Sequence, residues 1–327
     1  MRLGVLDVGS NTTHLLVVDA HRGAHPMPMH KEKTSLRLAE RITREGELSG
    51  AGVEELVEAI EGAKGSAARL GCEEMLAFGT SAVRQAHNAG DVLRTVAVRT
   101  GVELNVLSGH DEARLTFLAA RRWFGWSAGK LLVLDIGGGS LEIAMGIDED
   151  PELALSYPLG AGTVTHTRFT GDPPSRSELV DTAAWLEQEL SGLAEQVGAL
   201  GTPDRVVATS KTFRSLARLT GAAPSAAGPR VRRVLTDTGL RQLLAFISRM
   251  TAADLAELEG VSPSRAHQLV GGALVADATM RALSCAEVEI CPWALREGVI
   301  LRRLDHTNGE DPVEPLTRAW RGVEILS

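Results

Sequence analysis

The chain has 327 residues, long enough for about two domains, each with a sizeable core. Its 44% apolar and 23% charged residues are those of an ordinary globular protein, while aromatics at 4% are too few for base stacking to be the main mode of binding. A formal charge of -8 argues against general nucleic-acid binding, and no stretch of about 18 apolar residues is present to span a membrane. An anionic substrate stays compatible where local Arg and Lys, or a bound cation, outweigh the global field. Cys72, Cys285 and Cys291 are scattered and form no CxxC pair, which argues against a disulfide framework or zinc site and suits a reducing cytosol. The opening MRLGVLDVGS reaches Asp7 after too short an apolar run for a signal peptide, so a cytoplasmic location is expected.

In chain order, the apolar run RLGV leads through LDVGSNT (Leu6 to Thr12) into the alternating HLLVVD, which reads as strand, tight turn, strand. The turn-rich HRGAHPMPMHKEK follows, with a third strand expected near His30 to Leu38; His21, His25 and His30 read as exposed loop histidines. Apolar residues at Val53, Leu56, Val57, Ile60, Ala63, Ala67 and Leu70 recur at helical period. EMLAFGT is a strand, SAVRQAHNAGDVLRTVAVRTG gives helical segments broken near Gly90, VELNVL is a short strand, and SGHDEARLTFLAARRWFGW opens a helix.

The second half repeats this plan. LLVLDI, LEIAMGI and LALSYPL are strands, with helical segments around Thr163 and from Ser177 to Leu193. DRVVAT is a strand into the helix SKTFRSLARL, and GAAPSAAGPRVRR is a loop with a basic end. GLRQLLAFISRM, ADLAELEG and SRAHQLVGGALVADATMRAL are helical, AEVEIC is a strand and WALREGVILRRL a helix; after His306 a loose tail or added helix is expected. Strands alternating with helices predict an α/β fold, mainly parallel sheets with helices on both faces.

LDVGSNT returns at Leu134 to Ser140 as LDIGGGS, with matching apolar flanks. Glycines let backbone N–H groups approach phosphate oxygens, and Ser10, Thr12 and Ser140 add hydroxyl donors. Asp7 and Asp135, at the strand ends, are placed to hold a hard cation such as Mg²⁺, directly or through water. One copy would read as an ordinary hairpin turn. Two matching copies point to a phosphate clamp. In TSAVR, Thr80 or Ser81 can cap a helix whose N-terminus attracts anions, with Arg84 one turn in; taken alone, it reads as a capped helix with a solvated Arg. In SGHDEAR, Ser108 and Asp111 form a capping-box-like start that accounts for Asp111 and Glu112 structurally, the functional alternative being Glu112 as a proton acceptor.

DVGSNTTHL, TSAVRQAHN, SGHDEARL, LDIGGGSLEI, PLGAGTVT, GALV and LREGVI together, in this order and spacing from residue 3 to about 304, resemble the exopolyphosphatase/guanosine pentaphosphate phosphohydrolase family. The likeness is to its short bacterial form, and it implies two actin-like (ribonuclease H-like) domains of the actin and sugar-kinase ATPase superfamily, with the active site in an interdomain cleft. Domains are expected over 1–124 and 125–292, with a C-terminal helix at about 293–327 packing back on the first. By the same resemblance, Glu112 is the catalytic base that activates water against the terminal phosphorus. Asp135 and Glu142 hold or position metal and water, and Asp7 joins them as an expected ligand. Gly9, Ser10, Asn11 and Thr12 form the first phosphate loop, Gly137, Gly138, Gly139 and Ser140 the second, and Arg84 grips phosphate. Relatives often carry glycines after the strand where this chain has TSKTF; Lys211 there is either a contact to a phosphate chain or an exposed helix-start lysine.

The implied reaction is Mg²⁺-dependent hydrolysis of a terminal phosphoanhydride, from short polyphosphate or from guanosine pentaphosphate or tetraphosphate; dimers are common among such proteins, though no residue here marks an interface. Two rivals remain at this stage. One is an ATP-using sugar or acetate kinase, with Gly271 and Gly272 admitting adenosine. The other is a non-enzymatic sensor of phosphorylated ligands, against which an added carboxylate at Glu112 argues.

Overall fold

The computed structural model describes residues 1–306 apart from 22, 24, 37 and 44, so the tail expected after His306 lies outside the described residues. Two compact units result: Met1–Leu115 with the helix that starts at Leu295, and Thr116–Ala294.

In the first unit, β1 (Arg2–Val8), β2 (Thr12–Asp19), β3 (Pro28–Ser35), β4 (Glu74–Gly79) and β5 (Leu104–Val106) form one sheet in the order β3-β2-β1-β4-β5. β1 runs antiparallel to β2 and parallel to β4. Its near-continuous apolar run suits a central strand covered on both faces; Leu3, Val5, Leu6 and Val8 are fully buried. β3 carries Lys31, Glu32 and Lys33 at the sheet edge, where charge discourages further strand pairing. It ends at Ser35, short of the expected Leu38, because its partner β2 begins at Thr12, opposite Ser35.

α1 (Gly50–Arg69) starts at Ser49, whose side chain accepts the Gly52 N–H at 3.3 Å, and buries Leu56, Val57, Ile60, Ala63 and Ala67 as the period predicts. α2 (Ser81–Arg84) and α3 (Ala89–Thr100) follow β4. The break between them falls at residues 85–88, ahead of the expected Gly90. Asn88 fixes it, exchanging hydrogen bonds with the Leu48 backbone at 2.9 and 3.0 Å, while Gly90 sits within the first turn of α3. The division between units falls within α4 (Gly109–Phe124).

In the second unit, β6 (Leu131–Ile136), β7 (Leu141–Gly146), β8 (Leu153–Tyr157), β9 (Arg205–Ala208), β10 (Val234–Thr236) and β11 (Glu287–Ile290) form a sheet in the order β10-β11-β9-β6-β7-β8. Read from β8, this repeats the first unit's order and adds β10 as an antiparallel edge. Both units are thus actin-like. β10 escaped sequence reasoning because it lies between the basic end of a loop and the next helix, only three residues long with no readable alternation.

The helices here are α5 (Ala161–Arg168), α6 (Arg176–Glu189), α7 (Leu193–Gly198), α8 (Ser210–Leu219), α9 (Asp237–Ile247), α10 (Ala252–Ala256) and α11 (Leu269–Ala282). α7 is a separate turn where one helix reaching Leu193 was expected. α11 is buried nearly all round and joins Leu134, Ile136, Ile143, Phe213 and Leu216 in the core. α12 (Leu295–His306) belongs to the first unit, where Val299, Ile300 and Leu304 pack with Leu3, Val5 and Leu16. It passes so close to α4 that a Cβ on Gly298 would lie 1.9 Å from the Leu115 carbonyl oxygen.

Candidate active site

The two repeated motifs fold into the same turn. The Gly9 N–H donates to the Thr12 carbonyl at 3.0 Å, and the Gly137 N–H to the Ser140 carbonyl at 2.9 Å. In the first, Ser10, Asn11 and Thr12 are buried; Ser10 Oγ lies 3.3 Å from Ser81 Oγ, and the Asn11 carbonyl accepts the Leu36 N–H at 3.0 Å. The loop is thereby tied to α2, where TSAVR lies. Thr80 occupies the position before α2 but makes no side-chain cap; its hydroxyl turns to the Val8 carbonyl at 3.5 Å.

The second turn is gripped from one side by α5. The Gly137 carbonyl accepts from Ala161 N–H at 3.0 Å, Gly138 from Gly162 and Thr163 N–H at 2.8 and 3.0 Å, and Gly139 from Thr163 Oγ1 at 3.1 Å. In a trans peptide the carbonyl and the following N–H point in opposite directions. Three consecutive carbonyls turned toward α5 therefore turn the N–H groups of Gly138, Gly139 and Ser140 away from it, as an anion-binding nest requires. Gly160 permits the approach: a Cβ there would lie 2.3 Å from the Gly139 carbonyl carbon.

Beside this nest stand two carboxylates. Asp135 and Glu142 are direct cross-strand partners on β6 and β7, so they share a face with Cβ atoms about 5 Å apart. Glu142 is buried and Asp135 half-buried. Ser156 Oγ donates to Glu142 Oε1 at 3.0 Å, and Thr209 Oγ1 to Asp135 Oδ2 at 2.5 Å. Two like charges held face to face repel, and a hard cation between them relieves that cost. An oxygen-only pair suits Mg²⁺, which takes one or two carboxylates and completes its shell with water and phosphate oxygens. Among the described residues no three His, Cys, Asp or Glu side chains gather as a metal site. Asp7 is set differently: across from it on β2 is His14, and Arg296 Nε of α12 lies 3.9 Å from its Oδ2.

The two acids of SGHDEAR divide their roles. Asp111 closes the helix start, its Oδ2 accepting from Ser108 Oγ at 2.6 Å while its N–H donates back at 3.1 Å. Glu112, buried, is ion-paired to Arg84 Nη1, which also donates to the Leu107 carbonyl at 2.7 Å. The expected base and the expected phosphate-gripping arginine are neighbours 28 residues apart in sequence. Both contacts use Nη1; Nε and Nη2 make none among the described residues.

Lys211 Nζ donates to the Gly260 carbonyl at 3.2 Å. The basic end of the 221–233 loop is committed elsewhere: Arg232 pairs with Glu287 and Glu289, Arg233 donates to the carbonyls of Ala223, Pro224, Gly228 and Val231, and Arg230 stacks on Trp123. Gly271 and Gly272 are filled over by packing, since a Cβ on them would lie 2.4 Å from Thr165 Oγ1 and 2.7 Å from Thr212 Cγ2. Sequence reasoning missed Thr209, Ser156 and Arg296. A signal existed for the first: ATS after β9 repeats GTS after β4.

The chain matches the Ppx/GppA phosphatase family over residues 17–307. It is 63% identical over 305 residues to "Exopolyphosphatase 1" of Mycobacterium tuberculosis, covering 93% of this chain and 89% of that protein. To the protein of the same name in Mycobacterium leprae it is 59% identical over 326 residues, covering 99% and 96%. The crystal structure of an exopolyphosphatase from Cytophaga hutchinsonii, 22% identical, superposes with a TM-score of 0.84 over 94% of this chain and 98% of that one, and shares the fold. With those motifs, this repeated fold and a match across most of its length, the chain belongs to the Ppx/GppA phosphatase family.

Proposed function

We propose that the protein is an exopolyphosphatase, hydrolysing the terminal phosphoanhydride of inorganic polyphosphate, short chains above all, and releasing orthophosphate. The observation that carries this reading is the nest at Gly138, Gly139 and Ser140, its carbonyls pinned by α5 and its N–H groups turned the other way, beside the carboxylate pair Asp135 and Glu142. The names of the two mycobacterial relatives support polyphosphate over guanosine pentaphosphate. The close packing of Gly271 and Gly272 against Thr165 and Thr212 gives both glycines a structural reason that needs no nucleoside.

Each residue has a task in this reading. The Glu112 carboxylate takes a proton from water as its oxygen bonds to the terminal phosphorus, and the bridging P–O bond breaks toward the remaining chain. Arg84 Nη1 fixes the orientation of that carboxylate, and its remaining N–H groups suit a phosphate oxygen. In the second unit the nest N–H groups and the Ser140 hydroxyl are donors suited to non-bridging oxygens, whose negative charge they offset; in the first, the Ser10 and Thr12 hydroxyls are donors of the same kind. Asp135 and Glu142 would hold Mg²⁺, which when bound neutralises developing charge on phosphate oxygens. Phosphate release from polyphosphate, guanosine pentaphosphate and ATP, measured side by side with Mg²⁺, tests the reading. Polyphosphate should be turned over fastest; faster release from either nucleotide overturns it.

A further inference from the structure

Thr209 is wholly buried and stands where β9 gives way to α8. Three consecutive residues of β6 each receive a donor from the turn that begins there. The Leu134 carbonyl accepts the Thr209 N–H at 2.8 Å, Asp135 Oδ2 accepts Thr209 Oγ1 at 2.5 Å, and the Ile136 carbonyl accepts Thr212 Oγ1 at 2.9 Å. Between the two threonines, Ser210 has φ of 70°, a left-handed conformation that residues other than glycine seldom adopt. The backbone is bent out of its usual range at the point where Thr209 and Thr212 reach the end of β6.

The first unit does not repeat this device. There the residue beside Asp7 on the parallel strand β4 is Phe78, and Thr80 stands two positions further on with its hydroxyl on a carbonyl. In the second unit β9 ends opposite Leu134, so Thr209 is the residue beside Asp135. The placement of a hydroxyl on the aspartate thus follows from where the parallel strand stops.

We propose that Thr209 is a positioning residue: its hydroxyl holds the Asp135 carboxylate in one orientation and so sets the affinity of the Asp135–Glu142 pair for a divalent cation. This rests on the reading that the pair binds the cation. Partners that orient ligating carboxylates typically change metal affinity about 10–100-fold when removed. The alternative is that Thr209 merely satisfies its own buried hydroxyl, which Asp135 would do without consequence for the site.

The test is Mn²⁺ binding to the full chain by titration calorimetry without substrate, with the Mg²⁺ needed for half activity as a second readout. Thr209→Val, of nearly the same shape, should weaken Mn²⁺ binding about 10-fold and raise the Mg²⁺ requirement by a similar factor. Thr209→Ser, which keeps the hydroxyl, should stay within about twofold of the parent, on the same argument that the hydroxyl and not the methyl orients the ligand. Should Thr209→Val not fold, Thr209→Ala against Thr209→Ser makes the same comparison. Unchanged Mn²⁺ affinity in the hydroxyl-free variant, with loss of binding in Asp135→Asn, overturns the proposal alone. Unchanged affinity in Asp135→Asn overturns the cation reading and this proposal with it.

Discussion

In the proposed reaction Arg84 and Glu112 carry the chemistry as an ion pair, and their partnership makes different losses separable. Glu112→Gln keeps shape and leaves an amide oxygen for the Arg84 guanidinium, so the fold should survive. Turnover should fall by about 10²–10⁴, the usual cost of losing a general base, with the substrate concentration for half saturation little changed. Arg84→Ala should act otherwise. It takes the guanidinium from a buried carboxylate and from the Leu107 carbonyl, a change that costs about 3 kcal/mol of stability where such pairs are broken one-sidedly. It should also raise the substrate requirement, because the proposed phosphate contact goes with it. Phosphate-release kinetics beside thermal melts distinguish the two variants. Near-parent turnover in Glu112→Gln would reduce Glu112 to a helix-start acid.

At the scale of elements, α5 shapes the turn at residues 137–140, the proposed phosphate loop, and Gly160 is where its backbone meets that loop. Gly160→Ala would force a methyl group against Gly139 and Ser140, so the loop must move. Overpacking of this kind costs about 1–3 kcal/mol, which leaves a folded protein whose nest is displaced. Activity should fall further than the melting temperature suggests; equal activity at reduced stability would detach the loop from the reaction. α6 offers a pH-dependent case. Its Ser175–Glu178 capping box and the bonds from Thr170 hold the Glu178 carboxyl down at about 2, from 4.5. A depressed folded-state value means that this stabilisation is full above about pH 4.5 and disappears as pH falls toward 2. Glu178→Gln should therefore lower the melting temperature at pH 7 and converge on the parent near pH 2. A constant difference across that range would refute it.

These elements also mark how far the sequence could be read. Both hairpins with their aspartates and glycines were legible because tight turns restrict residue choice locally. The period of α1 and the start of α8 were legible for the same reason. The bonds Arg84–Glu112, Thr209–Asp135 and Arg296–Asp7 join residues 28, 74 and 289 positions apart, and depend on where parallel strands stop or helices cross. No local pattern encodes those pairings, even where, as with ATS at Thr209, a local repeat marks the residue. The break before α3 was misplaced for a related reason: Leu48, 40 residues earlier, sets it through Asn88, while Gly90 only drew attention to the neighbourhood.

At the scale of the whole molecule, a protein carrying -8 repels a polyanion from a distance, so capture depends on a few local cations. The basic 230–233 segment is drawn into other contacts, with Arg232 held by Glu287 and Glu289, Arg233 on four carbonyls and Arg230 on Trp123. On the proposed reading Arg84, Lys211 and a cation held by Asp135 and Glu142 are the phosphate contacts, a small set that suits short chains. Each phosphate contact releases a counterion, and the slope of log affinity against log salt is about -0.7 per contact for single strands. With about two or three contacts, affinity for polyphosphate should drop about 10-fold between 50 and 200 mM salt. Arg232→Ala should leave that slope unaltered, and Lys211→Ala should make it shallower. Phosphate release at matched chain-end concentrations across a salt series gives the numbers. A slope that responds to Arg232 and ignores Lys211 would move the substrate path onto the basic segment. ATP, whose three phosphates engage few of these groups, should be hydrolysed poorly throughout; its release outpacing that of polyphosphate, with a sugar or acetate acceptor stimulating it, would transfer the chemistry to a kinase.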